Sequence, residues 1–339
     1  DQMTSQPKAM AMFLRPLSNL LRAHGLEPQA LFDEYGVSVQ DTFNPEVWIS
    51  VDTTSALLTA AEKALQDPSL GINMARTSEY SAFGALGLAL SAGGSLRSVL
   101  ARMARYQRLI SDAVRAELVD DNGSVSVHFH PQHNHVPHPQ GMQYVMSSVM
   151  RLARLRVDPA LNPKAVYVAC DDPEYLARVA RYFRCEPKVT DFYGLEFAAS
   201  EADAELHSSD PHMVAMLEAT LNERLAEQTK GSLLIQLSLW LEGQLPEGEP
   251  SIADAAERFH MSVRSLQRRL GDEDLTWKQL IERTRRTLVE RHLTVPGTSV
   301  TQLAFLLGFS DVSAFSRAFK KWYGVAPSQF RAGDTSADS

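Results

Sequence analysis

An internal repeat in the last third of the chain constrains the fold more than any other feature. AAERFHMS (255–262) returns 48 residues later as LAFLLGFS (303–310), and after one extra residue VRSLQRRL (263–270) returns as VSAFSRAF (312–319). Apolar positions answer one another, Leu266 with Phe315 and Leu270 with Phe319. Ile252, Ala255, Ala256 and Phe259 recur at i, i+3, i+4 and i+7, the stripe of a short amphipathic helix, and Val300 to Leu307 repeats it. A turn follows each, through His260 and Met261 in the first copy and Gly308 in the second. Ser262 and Ser310 then stand as N-caps of the next helix. Two helix-turn-helix units result. Between them, TWKQLIERTRRTLVERHL (276–293) has no Gly or Pro and reads as one helix ending before Pro296 and Gly297, able to hold both units at fixed separation.

The outward faces of the two second helices carry the chemistry. At about 100° per residue, Arg264, Gln267 and Arg268 lie opposite the apolar arc of Val263, Leu266 and Leu270. Ser313, Ser316 and Arg317 occupy the same arc in the second copy, so that Arg268 and Arg317 are equivalent. Arginine and glutamine can make bidentate contacts to guanine and adenine edges in the major groove. Ser265 joins this set, and Lys320 and Lys321 are candidates for phosphate contact, although paired lysines on a helix equally read as a solvated face. Backbone N–H groups at the starts of both helices can also meet phosphates. Charge agrees: the net −8 conceals 13 Lys and Arg against 8 Asp and Glu in residues 251–331, whereas 1–250 hold 20 against 31. A basic segment on an acidic body fits a polyanion-binding module joined to a part with another task.

These residues resemble the AraC/XylS family of bacterial transcription regulators over roughly Gly231 to Arg331. The most specific stretch is LAFLLGFSDVSAFSRAFKKWYGVAPSQFR (303–331), similar to the family's Ala helix, GF turn, F-x-R-x-F recognition helix, G-x-x-P and terminal aromatic-Arg. The resemblance implies two recognition helices on double-stranded DNA, Arg264, Gln267 and Arg268 in one and Ser313, Ser316 and Arg317 in the other. It also implies contact with RNA polymerase when such a protein acts as an activator. Two departures stand out, His260 where relatives often have Gly, and Leu275 near a frequent Gly after the first recognition helix. Histidine tolerates positive φ better than most non-glycine residues, so the turn survives at some cost.

At 339 residues two domains are expected. Residues 10–110 read mostly as helices: Met10–Ala23, Pro28–Tyr35, Thr53–Leu65 and Ser95–Leu109. Val114–Val119 and Ser124–His130 alternate like strands around Asp121-Asn122-Gly123, a hairpin turn, and Ala165–Cys170 and Gly194–Ala198 are further strands among helices near 140–157 and 173–184. YSAFGALGLALSAGGSLRSVLARMARYQRLISDA (80–113) resembles the arabinose-binding-domain-like N-terminal effector domain of one AraC subgroup. A helix over Met213–Leu225 precedes a boundary placed at Thr229–Ser232. The expected architecture is an α+β domain for effector binding or dimerisation (1–230), an all-α DNA-binding domain with two helix-turn-helix units linked by a long helix (231–332), and a flexible tail (333–339). Two cysteines, Cys170 and Cys185, match no disulfide scaffold or metal motif, and no apolar run approaches the roughly 18 to 20 residues of a membrane span. With no secretory signal read at the start, a reducing cytoplasm is the expected compartment.

Two places in the N-terminal part invite a ligand. One is an apolar pocket bordered by Tyr80, Phe83, Tyr106, Phe129, Tyr144 and Met150, although aromatics and Met at such spacings are more often core. The other is HFHPQHNHVPH, with His128, His130, His133, His135 and His138 within 11 residues. Imidazoles bind zinc, copper or nickel, but the spacing fits no zinc pattern and solvated loop histidines are commoner than ligands. No cofactor is implied. The leading expectation is a sequence-specific DNA-binding regulator, possible as a homodimer, controlled by a small-molecule effector. Its rivals are an enzyme or metal sensor using the histidines, for which no nucleophile motif, phosphate loop or acid–base pair is present, and a DNA-binding regulator without a ligand.

Overall fold

The computed structural model describes residues 6–121, 123–132, 135–228, 233–292 and 298–332. It divides into two compact units, 1–221 and 222–339. The boundary expected at Thr229–Ser232 and the tail 333–339 lie outside the described residues.

The first unit is α+β. Strand β1 (Lys8–Met10) pairs antiparallel with β2 (Trp48–Ser50), and between them lie α1 (Arg15–Ala23) and α2 (Pro28–Asp33). Next come α3 (Val51–Leu65), α4 (Leu70–Thr77), α5 (Gly84–Ala92) and α6 (Leu96–Tyr106). The main sheet follows, with β3 (Val114–Asp121), β4 (Ser124–Pro131), α7 (Pro139–Arg156), β5 (Ala165–Val168), α8 (Pro173–Phe183), β6 (Pro187–Val189) and β7 (Tyr193–Ala198). Its order is β3-β4-β7-β5-β6, antiparallel except for the parallel β5–β6 pair. Short α9 (Ala199–Ala202) and long α10 (Pro211–Gln228) close the unit, α10 running past its end.

Alternation builds the core. Val125, Val127 and Phe129 of β4 and Tyr193, Leu195 and Phe197 of β7 are all buried on one face of the sheet, against Met142, Met146, Val149 and Met150 of α7. The opposite face of α7 meets α4 at backbone distance: Gly71 N donates to Gln140 Oε1 at 2.8 Å, and a Cβ on Gly71 would lie 2.3 Å from Gln140 O. The hairpin turns through Gly123 at φ +86°, a conformation glycine reaches without strain.

One expected helix starts late. Met10 closes β1 rather than opening a helix, and residues 11–14 form a single tighter turn before α1. Pro16 explains the delay, because a residue without an N–H fits only the first turn of a helix and so fixes the start at Arg15.

The second unit is all α: α11 (Leu233–Gln244), α12 (Ile252–Arg258), α13 (Val263–Gly271), α14 (Trp277–His292), α15 (Val300–Leu306), α16 (Val312–Tyr323) and α17 (Pro327–Ala332). One apolar cluster joins both copies of the repeat, with Ala255, Ala256, Leu266 and Leu270 from the first and Leu303, Ala304, Phe315 and Phe319 from the second around Leu280, Ile281 and Leu288 of α14. Both cysteines are free, and among the described residues no helix is long and apolar enough to cross a membrane.

Gly71→Ala is expected to destabilise the chain by about 1–3 kcal/mol through forced separation of α4 and α7. Gly243→Ala, in α11 with nothing within 4 Å of the added carbon, is expected to stabilise by about 0.5–1 kcal/mol. Urea denaturation of the two variants checks the pair.

Candidate nucleic-acid interface and effector cavity

Each helix-turn-helix is assembled by local hydrogen bonds that the repeat preserves. Ser251 with Asp254 and Ser299 with Gln302 form reciprocal capping boxes at the starts of α12 and α15. Both turns close alike: Met261 N donates to Ala256 O at 2.8 Å, and Phe309 N to Ala304 O at 3.0 Å, bonds that reach back five residues over a left-handed residue. That residue is His260 at φ +53° in the first turn and Gly308 at φ +72° in the second. The histidine is tolerated in the first turn, whereas a Cβ on Gly308 would lie 2.5 Å from Leu245 O. Beyond α13 the chain turns again through Asp274 at φ +55°, just before Leu275, where α16 ends on Gly324 at φ +76°.

Helix α13 is capped by Ser262 Oγ, which accepts from Ser265 N at 3.1 Å. For α16 the expected cap is corrected: Asp311, not Ser310, accepts from Ala314 N at 2.7 Å. The one-residue insertion in the second copy shifts the cap by one place, and Ser310 hydrogen-bonds the Asp311 carboxylate instead. The Ala314 N–H bond holds the Asp311 carboxyl below the usual carboxylate range.

Opposite the apolar faces, Arg264, Gln267 and Arg268 on α13 and Ser313, Arg317, Lys320 and Lys321 at α16 are exposed, while Ser265 and Ser316 are half-buried. Ser265 Oγ accepts from Ser262 Oγ at 2.9 Å and so belongs partly to the cap. Among the described residues, none of Arg264, Arg268 and Arg317 forms an ion pair with a carboxylate, so their guanidinium groups face solvent ready for an anion or a base edge.

Sequence reading missed Arg285. Buried in α14, its Nε donates to Leu307 O at 2.8 Å and one terminal nitrogen to Gly308 O at 3.2 Å, while the other pairs with Glu249 at 2.8 Å. The guanidinium also lies over the Phe309 ring, 4.2 Å from its centre. One side chain thereby satisfies the end carbonyls of α15 and clamps the second turn.

In the first unit, the apolar residues expected to border a pocket separate. A cavity of about 110 Å³ lies among residues of β1, α3, α5, α6, β3, β4 and α7, and of the expected set only Phe129 lines it. Tyr106, Tyr144 and Met150 are fully buried in packed core, and Tyr144 OH is 3.0 Å from Ser78 Oγ. Phe83 and Tyr80 lie outside the lining too; Phe83 stacks on Tyr144 at 5.8 Å. Phe13 meets Tyr144 edge-on at 5.4 Å and itself faces the cavity. Apolarity marks burial, not which buried residues leave a space.

Among the described residues, His128 and His130 lie side by side with ring centres 6.0 Å apart, while His135 and His138 have other partners. His128 Nε2 is 3.0 Å from Ser126 Oγ with its ring beside Phe192, His130 faces Glu117 at 3.5 Å, and His135 faces Asp52 at 3.8 Å. His133 lies outside the described residues, among which no cluster of three metal-ligating side chains occurs. His138 is an N-cap: its Nδ1 accepts from Gln140 N at 3.2 Å and Nε2 is 2.9 Å from Thr59 Oγ1. Burial pushes its imidazole down from 6.5 to about 4.

Residues 25–206 match the model of the arabinose-binding domain of AraC transcription regulators, and residues 255–333 match a helix-turn-helix domain model. The chain is 27% identical to the ornithine utilization regulator of Pseudomonas aeruginosa, over 94% of this chain and 95% of that one. It is 25% identical to the transcriptional regulator VirS of Mycobacterium tuberculosis, over 93% and 94% respectively.

Gly308→Ala is expected to cost about 1–3 kcal/mol, and His260→Gly to change stability by less than about 1 kcal/mol, in thermal or urea melts. A second expectation concerns pH. Because the folded state holds His138 neutral below its unfolded value, its contribution is complete above pH 6.5 and is lost as pH falls towards 4. His138→Asn, which keeps a capping side chain, should flatten that part of a plot of urea midpoint against pH; an unchanged slope would remove His138 from the account.

Proposed function

Because the chain belongs to the AraC family of transcription regulators, a DNA-binding regulator with an N-terminal effector-binding domain, we propose that α13 and α16 read two successive major-groove segments about one helical turn apart. Arg264, Gln267 and Arg268 contact base edges in the first segment, and Ser313, Ser316 and Arg317 do so in the second. Lys320, Lys321 and the N–H groups at the two helix starts contact phosphates, with Ser265 at the margin. The carrying observation is the equivalence of Arg268 and Arg317: both are exposed and opposite a locked apolar face, on scaffolds that share caps and turn hydrogen bonds.

The domain division in this reading is 1–230 for sensing or dimerisation and 231–332 for DNA. An effector acts by binding two states of the protein with different affinity, either as a ligand-dependent homodimer or through a latch between domains. Contact with RNA polymerase accompanies activation, and the protein works on DNA in the bacterial cytoplasm.

Arg268→Ala and Arg317→Ala are each expected to lose about 1–3 kcal/mol on the preferred sequence and to relax preference at particular base pairs, scored by selection from randomised DNA with the full chain. A uniform loss on all DNA would reassign these arginines to phosphates. Binding should also weaken steeply with salt; a flat response would overturn the interface.

A further inference from the structure

The cavity in the first unit has a chemistry of its own. Its walls are dominated by apolar side chains such as Phe13, Leu58, Met103, Phe129, Met142 and Val145, and they include no Asp, Glu, Lys or Arg. Most of the few polar groups are already engaged with the protein, the side-chain carbonyl of Gln107 apart. Thr54 donates to Ser50 O at 3.3 Å, Gln107 Nε2 to Ser111 O at 2.7 Å, and Ser111 Oγ to Lys8 O at 3.3 Å. Both ring nitrogens of His138 are used as well. Among the described residues, Ser55 keeps the one lining hydroxyl without a hydrogen-bond partner in the protein.

Room is adequate for a ligand. At roughly 10–15 Å³ per water-sized sphere, about 110 Å³ holds on the order of ten such atoms. A sugar or a charged amino acid placed here would lose its water and find almost nothing to bond to in return. An alkyl chain or aromatic ring loses nothing by the same move.

We propose that this cavity binds an uncharged, predominantly apolar small molecule with a single polar end, which Ser55 meets. The proposal rests on reading the first unit as the effector domain and specifies the class of effector.

The test uses the full chain carrying ¹³C-methyl methionine, because Met103 and Met142 line the cavity and most of the 11 methionines lie elsewhere. The probes are 1-octanol, L-arabinose and L-ornithine. Expected are saturable, one-site shifts of the Met103 and Met142 resonances with 1-octanol and none with the two polar probes. Val145→Trp, which fills the space, should abolish those shifts, and Ser55→Phe serves the same end from α3 should the first variant fold poorly. Shifts at Met103 and Met142 from arabinose or ornithine would overturn the ligand class while leaving an effector domain in place. Octanol shifts spread over all methionines, or surviving in both filled variants, would overturn the cavity as the site. No saturable shift from any probe would overturn the proposal and withdraw this cavity as support for sensing, with the DNA-binding reading untouched.

Discussion

The second unit depends on one guanidinium. Arg285 is carried by the long helix, yet its donors serve the carbonyls of Leu307 and Gly308 at the end of another helix, and its charge is met by Glu249 ahead of a third. A helix end turned into a core without partners for its carbonyls is unstable, and the planar fork of arginine can serve two of them at once while keeping an ion pair. Lysine, with a point charge, could not. The first turn is held differently, by packing of Trp240 edge-on to Phe259 at 6.1 Å. The linking helix is therefore not a passive spacer: it fixes the turn ahead of α16 by hydrogen bonds and buries Leu280, Ile281 and Leu288 in the common core.

In the first unit the organising element is α7, which is buried on two faces. Towards the sheet it presents Met142, Met146, Val149 and Met150, and towards α4 it offers backbone that only Gly71 can approach. Met142 also faces the cavity, so the same helix that completes the core also borders the proposed ligand site. Its N-cap, His138, stands in the cavity wall with an imidazole that burial keeps neutral.

How much of this was legible in the sequence follows from how local each signal is. The paired helix-turn-helix units, the turn at His260 and the hairpin at Gly123 were readable because helical period, cap residues and positive-φ positions are written within a few neighbouring residues. Ser310 and Asp311 are both capable caps, and adjacency alone did not choose between them; the chain geometry chose Asp311. Strands β1, β2 and β6 are three residues each, too short for alternation to register. Arg285 was hidden because its partners lie 22 and 23 residues away, and nothing in its own segment sets it apart from Arg283 or Arg286. The capping boxes at Ser251 and Ser299, by contrast, had a signal in the S-x-x-D and S-x-x-Q spacing. The cavity had none, since seven elements each contribute only one or two apolar side chains that look like any other core.

The two turns of the repeat obey unequal rules. One accepts a histidine at positive φ, while the other is pressed against the Leu245 carbonyl and leaves no room for a side chain. Copies of one structural unit have thus become separately constrained, the first free to drift at its turn and the second confined to a single residue type. A search pattern that demanded glycine at both places would pass over this chain although its backbone makes the same bend twice.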